Sequence, residues 1–106
     1  FQKNMRVNEI VVLKEVANDL NAGREFYALN GTSVGDYFWD SMISDIESLV
    51  VYAGVHERIR GLYRMPAKRF PYSIYYEIAD DIAYVIAVLP MRRNPIWVTS
   101  KLKNRR

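Results

Sequence analysis

The run IAYVIAVL, residues 82–89, constrains the fold more than any other stretch of this sequence. It is strand-sized and apolar at every position, which is typical of a β-strand covered on both faces. Before it, residues 70–78 alternate in the manner of a half-buried strand, and Asp80-Asp81 separates the two runs as a turn. We therefore predict a sheet in which residues 82–89 form a central strand.

The segments that precede these strands predict one further strand and two helices. Residues 7–14 (VNEIVVLK) are rich in β-branched side chains and predict the first strand. Apolar residues then recur at steps of three and four, which predicts amphipathic helices near residues 16–29 and 34–51. Because their connection is short, the two helices should form an antiparallel hairpin with Leu20 and Ile46 facing the sheet.

The remaining elements complete an α+β domain. Residues 57–65 (ERIRGLYRM) mix apolar and cationic side chains as an exposed strand does, and Pro66 ends it because proline cannot donate to the ladder. Asn94-Pro95 has the form of an N-cap followed by proline at the first helical position, which predicts a short C-terminal helix. The order β-α-α-β-β-β predicts a helical hairpin packed on a mostly antiparallel four-stranded sheet.

Length and composition limit the classes of protein to which the chain can belong. It has 106 residues, half of them hydrophobic, which suits a single domain over residues 5–106. Residues 1–4 precede the first methionine and resemble the remnant of a cleaved tag. The absence of cysteine excludes disulfides, thiolate catalysis and cysteine-based zinc sites. No apolar run approaches the roughly 20 residues of a membrane-spanning helix and no secretory signal is recognised, so we expect a cytoplasmic protein.

Charge is divided unequally along the chain. Residues 16–57 carry seven acids and one cation, Arg24, whereas residues 58–106 carry eleven Lys or Arg and three acids. After Asp81 no acid occurs, and the sequence ends SKLKNRR. The C-terminal half should therefore present a positive field to polyanions or to an acidic partner, although a solvated basic tail is an equally good interpretation of the last residues.

Several motifs in a fixed order carry a resemblance to a known family. They are ANDL at residues 17–20, FY at residues 26–27, the positions Phe38, Ile43, Asp45, Ile46 and Leu49, and RFPYSIYYEI followed by IAVL and RRNPIW between residues 69 and 97. In this pattern the chain resembles the RelE/ParE superfamily of bacterial toxins, on its ParE-like, plasmid stabilisation side. The resemblance implies the toxin of a type II toxin–antitoxin pair, which arrests growth and is neutralised by an acidic cognate antitoxin.

The superfamily divides by target. ParE-like members inhibit DNA gyrase, whereas RelE-like members cut messenger RNA on the ribosome, and a nuclease needs groups that move protons as well as cations that hold phosphate. Ser73 stands where the RelE-like pattern has an arginine, and residues 96–98 (IWV) offer no acid–base side chain where the pattern implies one. These missing groups favour gyrase inhibition without enzyme activity. A ribosome-dependent mRNA endonuclease is the alternative.

Cations and aromatic residues near the predicted strand ends are the candidate site residues. For binding of the target or the antitoxin, the candidates are Arg64, Lys68, Arg69, Arg92, Arg93 and Trp97. The pair Arg92-Arg93 could bind a carboxylate or phosphate in bidentate fashion, or could be solvated at a strand end. If the protein is a nuclease, the catalytic candidates are His56, Arg64, Arg69 and Arg92. A lone loop histidine, however, is more often locally hydrogen-bonded than catalytic.

Motifs for other chemistry are missing from the sequence. It contains no glycine-rich nucleotide loop, no paired-histidine motif and no GxSxG elbow, so we predict neither a metal nor another cofactor. A non-catalytic nucleic-acid-binding module that uses the basic sheet and tail is a second alternative function. The sequence leaves open whether the toxin is active, whether the isolated chain forms a homodimer, and which stoichiometry a complex with the antitoxin has.

Overall fold

A computed structural model describes residues 7–105. Within these residues the elements follow in the order β1 (Glu9–Val12), α1 (Lys14–Ala28), α2 (Thr32–Glu47), α3 (Leu49–Tyr52), β2 (Glu57–Ile59), β3 (Leu62–Pro66), β4 (Tyr72–Ala79), β5 (Ile82–Pro90) and α4 (Pro95–Lys103). The interpretation of residues 1–4 as a tag remnant lies outside this range. None of the helices in the range is long and apolar enough to cross a lipid bilayer.

The strands form one mixed sheet in the order β1-β5-β4-β3-β2. β1 runs parallel to β5, and its pairing ends where Val12 lies opposite Val85. The other neighbouring strands are antiparallel. The predicted α+β class is confirmed, with a helical hairpin and a C-terminal helix. β5 lies beside the middle strand β4 and has a neighbour on each side over its first half.

The sheet has one strand more than the four predicted, because residues 57–65 form a hairpin and not a single strand. Arg60 and Gly61 adopt positive φ angles of 54° and 83° and make a two-residue turn between β2 and β3. Such a turn matches the twist of the strands that it joins, and glycine adopts its left-handed angles without steric cost. The prediction was wrong because Arg-Gly is not among the strong hairpin signals. The predicted turn at Asp80 and Asp81 is confirmed, with φ of 53° and 63°.

Two hydrophobic cores lie on opposite faces of the sheet. The larger one joins the helical hairpin to the sheet, and Leu20 and Ile46 are buried in it as predicted. The smaller one lies beneath α4, where Leu102 packs on side chains of β3, β4 and β5. β5 supplies residues to both cores, for example Val88 to the larger and Leu89 to the smaller. Burial on both faces is the reason that this strand is apolar throughout.

The helical hairpin is packed closely at two glycines. A Cβ atom at Gly35 of α2 would lie 2.7 Å from the backbone oxygen of Arg24, and one at Gly23 of α1 would overlap the ring of Phe38. Protein interiors offer no free space for such an added atom. The two glycines therefore set the distance between α1 and α2, and with it the position of α1 over the sheet.

β5 changes its environment halfway along its length. Tyr75 lies opposite Ala87 and Tyr76 opposite Val85, so Ile86 has no partner on β4 and forms a bulge. A bulge bends the strand and leaves the extra residue outside the ladder. Beyond Val85 the outer edge of β5 also lacks a neighbouring strand, because β1 ends there. This open half of the strand carries the candidate site.

Candidate functional site

A groove opens between α1 and α4 along the second half of β5, with a volume of about 800 Å³. We call it the α1/α4 groove. Asp19 and Phe26 line it from α1, Tyr72 and Leu89 from the sheet, and Trp97 from α4. It combines charged walls with an apolar floor, as binding sites for peptides and ligands commonly do.

One wall of the groove is a row of side chains spaced four residues apart, Arg93, Trp97, Lys101 and Arg105, which we call the α4 row. Positions four residues apart lie on the same face of a helix. The guanidinium carbon of Arg93 lies 4.6 Å from the centre of the Trp97 ring, and Nζ of Lys101 lies 5.3 Å from the same centre. These are distances at which a cation is attracted by an aromatic ring. The wall thus presents one indole with two associated cations.

A nearly buried ion pair joins the two walls. Asp19 Oδ1 accepts a hydrogen bond from Arg105 Nη2 at 2.8 Å, Oδ2 accepts one from Nη1 at 2.5 Å, and only 9% of each side chain is exposed. The same carboxylate accepts the Val88 backbone N–H at 3.0 Å, and Arg105 Nη1 lies 3.4 Å from the Ile86 carbonyl oxygen. The hydrogen bond to Asp19 raises the pKa of Arg105, so the guanidinium stays charged. The pair thus forms hydrogen bonds with the Val88 N–H and the Ile86 carbonyl on the open edge of β5, where no strand pairs with these groups.

The groove carries an excess of positive charge. Arg92, Arg93 and Lys101 line it and form no ion pair with any residue between positions 7 and 105. Asp19 is already neutralised by its own arginine, which leaves Glu15 as the remaining acid of the lining. Cations that line a cleft attract anionic partners most strongly where low-dielectric walls limit screening.

The structure separates the predicted binding residues into two groups. Arg92, Arg93 and Trp97 line the α1/α4 groove. Lys68 and Arg69 are exposed in the loop that leads into β4, at the same end of the sheet, but they are not part of the lining. The predicted cations thus lie at one end of the sheet, and the fold decides which of them line the groove.

Arg64 is engaged within the sheet and does not line the groove. Its Nη1 donates to Ser73 Oγ and its Nη2 to Glu57 Oε1, both at 3.2 Å. Ser73 is 1% exposed. Nε of Arg64 is buried and has no hydrogen-bond partner in the described part of the chain. Arg64 on β3 therefore links its own strand to β2 through Glu57 and to β4 through Ser73.

His56 makes local contacts far from the groove. Its Nδ1 lies 2.5 Å from Tyr76 Oη, and that hydroxyl also accepts the Gly54 backbone N–H at 2.9 Å. Burial lowers the pKa of His56 and raises that of Tyr76 to about 12. His56 precedes β2, which β3 and β4 separate from β5. Among residues 7–105, no cluster of three or more His, Asp or Glu side chains could hold a metal ion.

Asp19, Phe26, Lys101 and Arg105 line the groove but are not among the residues predicted from sequence. A signal for Lys101 was present, since it lies four residues after Trp97 on the same face of α4, whereas Arg105 keeps the spacing but lies beyond the end of that helix. No local signal marks Asp19, because its partner lies 86 positions away in the chain.

Comparison with known proteins decides the family. The family described as "ParE toxin of type II toxin-antitoxin system, parDE" matches residues 10–95, which cover all but the first residue of β1, the helical hairpin and the other four strands. The chain belongs to the ParE toxin family. The resemblance to the RelE/ParE superfamily is thereby confirmed on its ParE side. The match ends at the first residue of α4, so Trp97, Lys101 and Arg105 lie beyond it in this ParE-family toxin.

A solved structure shares the fold of this ParE-family toxin. It is titled "Chromosomal ParDE TA system from P. aeruginosa" and has a TM-score of 0.73 at 15% sequence identity, with 85% of this chain and 100% of that chain covered. At this identity the likeness concerns the fold. No curated protein matches the sequence.

Proposed function

We propose that this ParE-family toxin arrests bacterial growth by inhibiting DNA gyrase in the cytoplasm, and that an acidic cognate antitoxin neutralises it. Family membership supports the toxin role and the existence of an antitoxin. The proposed target rests on one observation: of the residues predicted for a nuclease, only Arg92 lines the basic groove.

Cleavage of RNA requires a phosphate-holding cation and an acid–base group at the same site. Three unpaired cations line the α1/α4 groove together with the acids Glu15 and Asp19 and the phenols Tyr27 and Tyr72, and two of these titratable groups are not free to act. Asp19 is held by Arg105, and burial raises the pKa of Tyr72, which is 7% exposed. Both groups are therefore poorly suited to exchange a proton with a substrate.

The other nuclease candidates lie elsewhere. His56 is in contact with Tyr76, and neither residue is among those that line the groove. Ser73, at the position of the RelE-like arginine, is buried against Arg64 and could not reach a phosphate. Cations without a proton-transfer partner bind RNA but do not cut it, which favours a target that is bound and not cleaved.

The test compares the two targets with the same purified protein. We expect it to inhibit supercoiling by gyrase, or to trap gyrase on cleaved DNA, while messages on translating ribosomes stay intact by primer extension. Antitoxin added in equimolar amount should restore supercoiling. New message ends at codons in ribosome-bound RNA, with gyrase unaffected, would replace this proposal with the nuclease alternative. Binding to nucleic acid without growth arrest on expression would favour the nucleic-acid-binding module.

A further inference from the structure

We propose that a concavity between α4 and the β2–β3 turn binds the phosphate backbone of duplex DNA. The concavity has a volume of about 540 Å³, with Arg60 of the turn on one side and Ile96, Ser100, Lys103 and Asn104 on the other. We call it the turn/α4 concavity. Within residues 7–105 it shares no lining residue with the α1/α4 groove. The choice of DNA rests on the proposed inhibition of gyrase, which acts on duplex DNA, whereas the anionic character of the ligand follows from the lining itself.

The charge of the lining indicates an anionic ligand. Arg60 and Lys103 come from two different elements, and no acidic side chain between positions 7 and 105 lines the concavity with them. The sequence also has no acid after Asp81, so α4 itself carries none. A concavity lined by two cations and by no acid presents a positive potential to anions.

The neutral polar side chains of the lining are of the kinds that contact phosphate. Ser100 and Asn104 are exposed and can donate a hydroxyl and an amide hydrogen. Serine and asparagine, like arginine and lysine, commonly donate to phosphate oxygens of DNA. Thr99 adds no donor, because its hydroxyl already donates to the Pro95 carbonyl oxygen at 2.9 Å. The concavity therefore offers both charged and neutral donors for a phosphate backbone.

The backbone at Arg60 supports a binding role for its side chain. Its φ of 54° lies in the left-handed region, which asparagine and glycine adopt most readily in two-residue hairpin turns. Asparagine before Gly61 would therefore favour this turn more than arginine does. Residues held at such unfavourable backbone angles are concentrated at active and ligand-binding sites. We therefore assign the Arg60 side chain to the ligand and not to the turn.

The apolar part of the lining favours duplex DNA over other partners. It consists of Pro95 and of Ile96, which is 79% exposed, and no aromatic side chain of the described chain joins them. Protein interfaces are anchored by aromatic and arginine side chains in desolvated pockets, and single-stranded nucleic acids by bases stacked on aromatic rings. The backbone of a duplex is bound through its phosphates without stacking, and these contacts carry no sequence information. We therefore expect binding that is independent of DNA sequence.

The first experiment measures the affinity of the full-length toxin for a short DNA duplex of mixed sequence by fluorescence anisotropy. We expect Arg60→Asn and Lys103→Gln each to weaken binding about tenfold in about 50 mM salt, since each removes one phosphate contact and the counterions that it releases. Between about 50 and 200 mM salt, each variant should also lower the slope of log K against log salt by about one. Arg60→Asn should keep or raise the melting temperature, because Asn-Gly favours the turn.

Lys14→Gln is the matched control, because it removes an exposed cation from α1, which packs on the opposite face of the sheet. It should leave the DNA affinity within about twofold. Equal losses in all three variants would mean that the net charge alone attracts DNA, and would overturn the assignment. Unchanged affinity of the first two variants, or no binding of the native protein to the duplex, would do the same. Tighter binding to single-stranded DNA or to duplex RNA would overturn the choice of duplex DNA.

Gyrase inhibition is measured separately with the same variants. If the native protein leaves gyrase unaffected while Arg60→Asn still lowers DNA affinity, the DNA site stands and the proposed target fails. If gyrase is inhibited and all variants bind DNA alike, the DNA site alone fails. A variant that binds DNA normally but inhibits gyrase less would assign the concavity to an acidic surface of gyrase instead.

Discussion

Asp19 on α1 and Arg105 behind α4 form a bidentate ion pair with only 9% of each side chain exposed, across 86 positions of sequence. The pair also binds backbone groups of Val88 and Ile86, so it fastens the C-terminal helix to the bulged half of β5.

Replacing Asp19 by Ala should lower the free energy of unfolding by about 3 kcal/mol, because a nearly buried guanidinium loses its counter-charge. Arg105→Ala should cost less, since Asp19 still accepts the Val88 N–H. Urea unfolding at neutral pH measures both, and the double variant should cost less than the sum of the two. Asp36→Ala is the control, because its ion pair with Arg24 is about half exposed and should contribute less than about 1 kcal/mol. Equal costs for Asp19→Ala and Asp36→Ala would contradict the structural role of the buried pair.

Replacing Ile86 by Asp should cost several kcal/mol, which is comparable with the whole stability of a small domain. Ile86 is 3% exposed and packs beneath α4, where a carboxylate would be buried without a partner. Soluble yield and melting temperature are the measurements. Ile96→Asp is the matched control, because Ile96 is 79% exposed and the same change there should be nearly neutral. An unchanged melting temperature for the Ile86 variant would show that the Ile86 side chain does not lie in the core beneath α4.

Replacing Gly35 by Ala should destabilise the protein by about 1–3 kcal/mol, although alanine favours a helix over glycine by about 1 kcal/mol. The added Cβ would lie 2.7 Å from the backbone oxygen of Arg24, and backbone cannot yield as a flexible side chain can. The control is Asn21→Ala at an exposed position of α1, which should be neutral or slightly stabilising. If thermal unfolding shows that Gly35→Ala stabilises the protein, the helices are farther apart than described.

Stability should fall as the pH drops below about 6.5, in part because of His56. Burial lowers its pKa from the ordinary value of 6.5, so the unfolded chain binds the proton more readily than the folded one. The contribution of the neutral ring is complete above 6.5 and is lost as the pH falls through the lower folded value. Urea unfolding between pH 7.5 and about 5 should give a steeper decline for the native protein than for His56→Gln. Parallel declines would mean that the ring titrates normally and is not desolvated as its contacts with Tyr76 indicate.

Features of the fold that depend on local pattern could be predicted from the amino-acid sequence. Recurrence of apolar residues at steps of two predicted β4, and recurrence at steps of three and four predicted both long helices, because side-chain direction follows directly from backbone geometry. Asp80-Asp81 and Asn94-Pro95 predicted a turn and a helix start through the angles and hydrogen bonds of those residues alone. The unbroken apolar run at residues 82–89 predicted burial on both faces, which the two cores confirm.

Contacts between distant residues could not be predicted in this way, because they depend on how the elements pack. Asp19 has the sequence of an ordinary exposed helix position, and it becomes a core partner because β1 ends at Val12 and leaves the edge of β5 open beside α1. Likewise, Arg93, Lys101 and Arg105 form a groove wall only because α4 packs over β5. Arg64 on β3 does not join them, because it donates hydrogen bonds to Ser73 and Glu57 within the sheet. Local sequence fixes the direction of a side chain along its own element. Its partner depends on the free energy of packing whole elements together, which no short stretch of sequence contains.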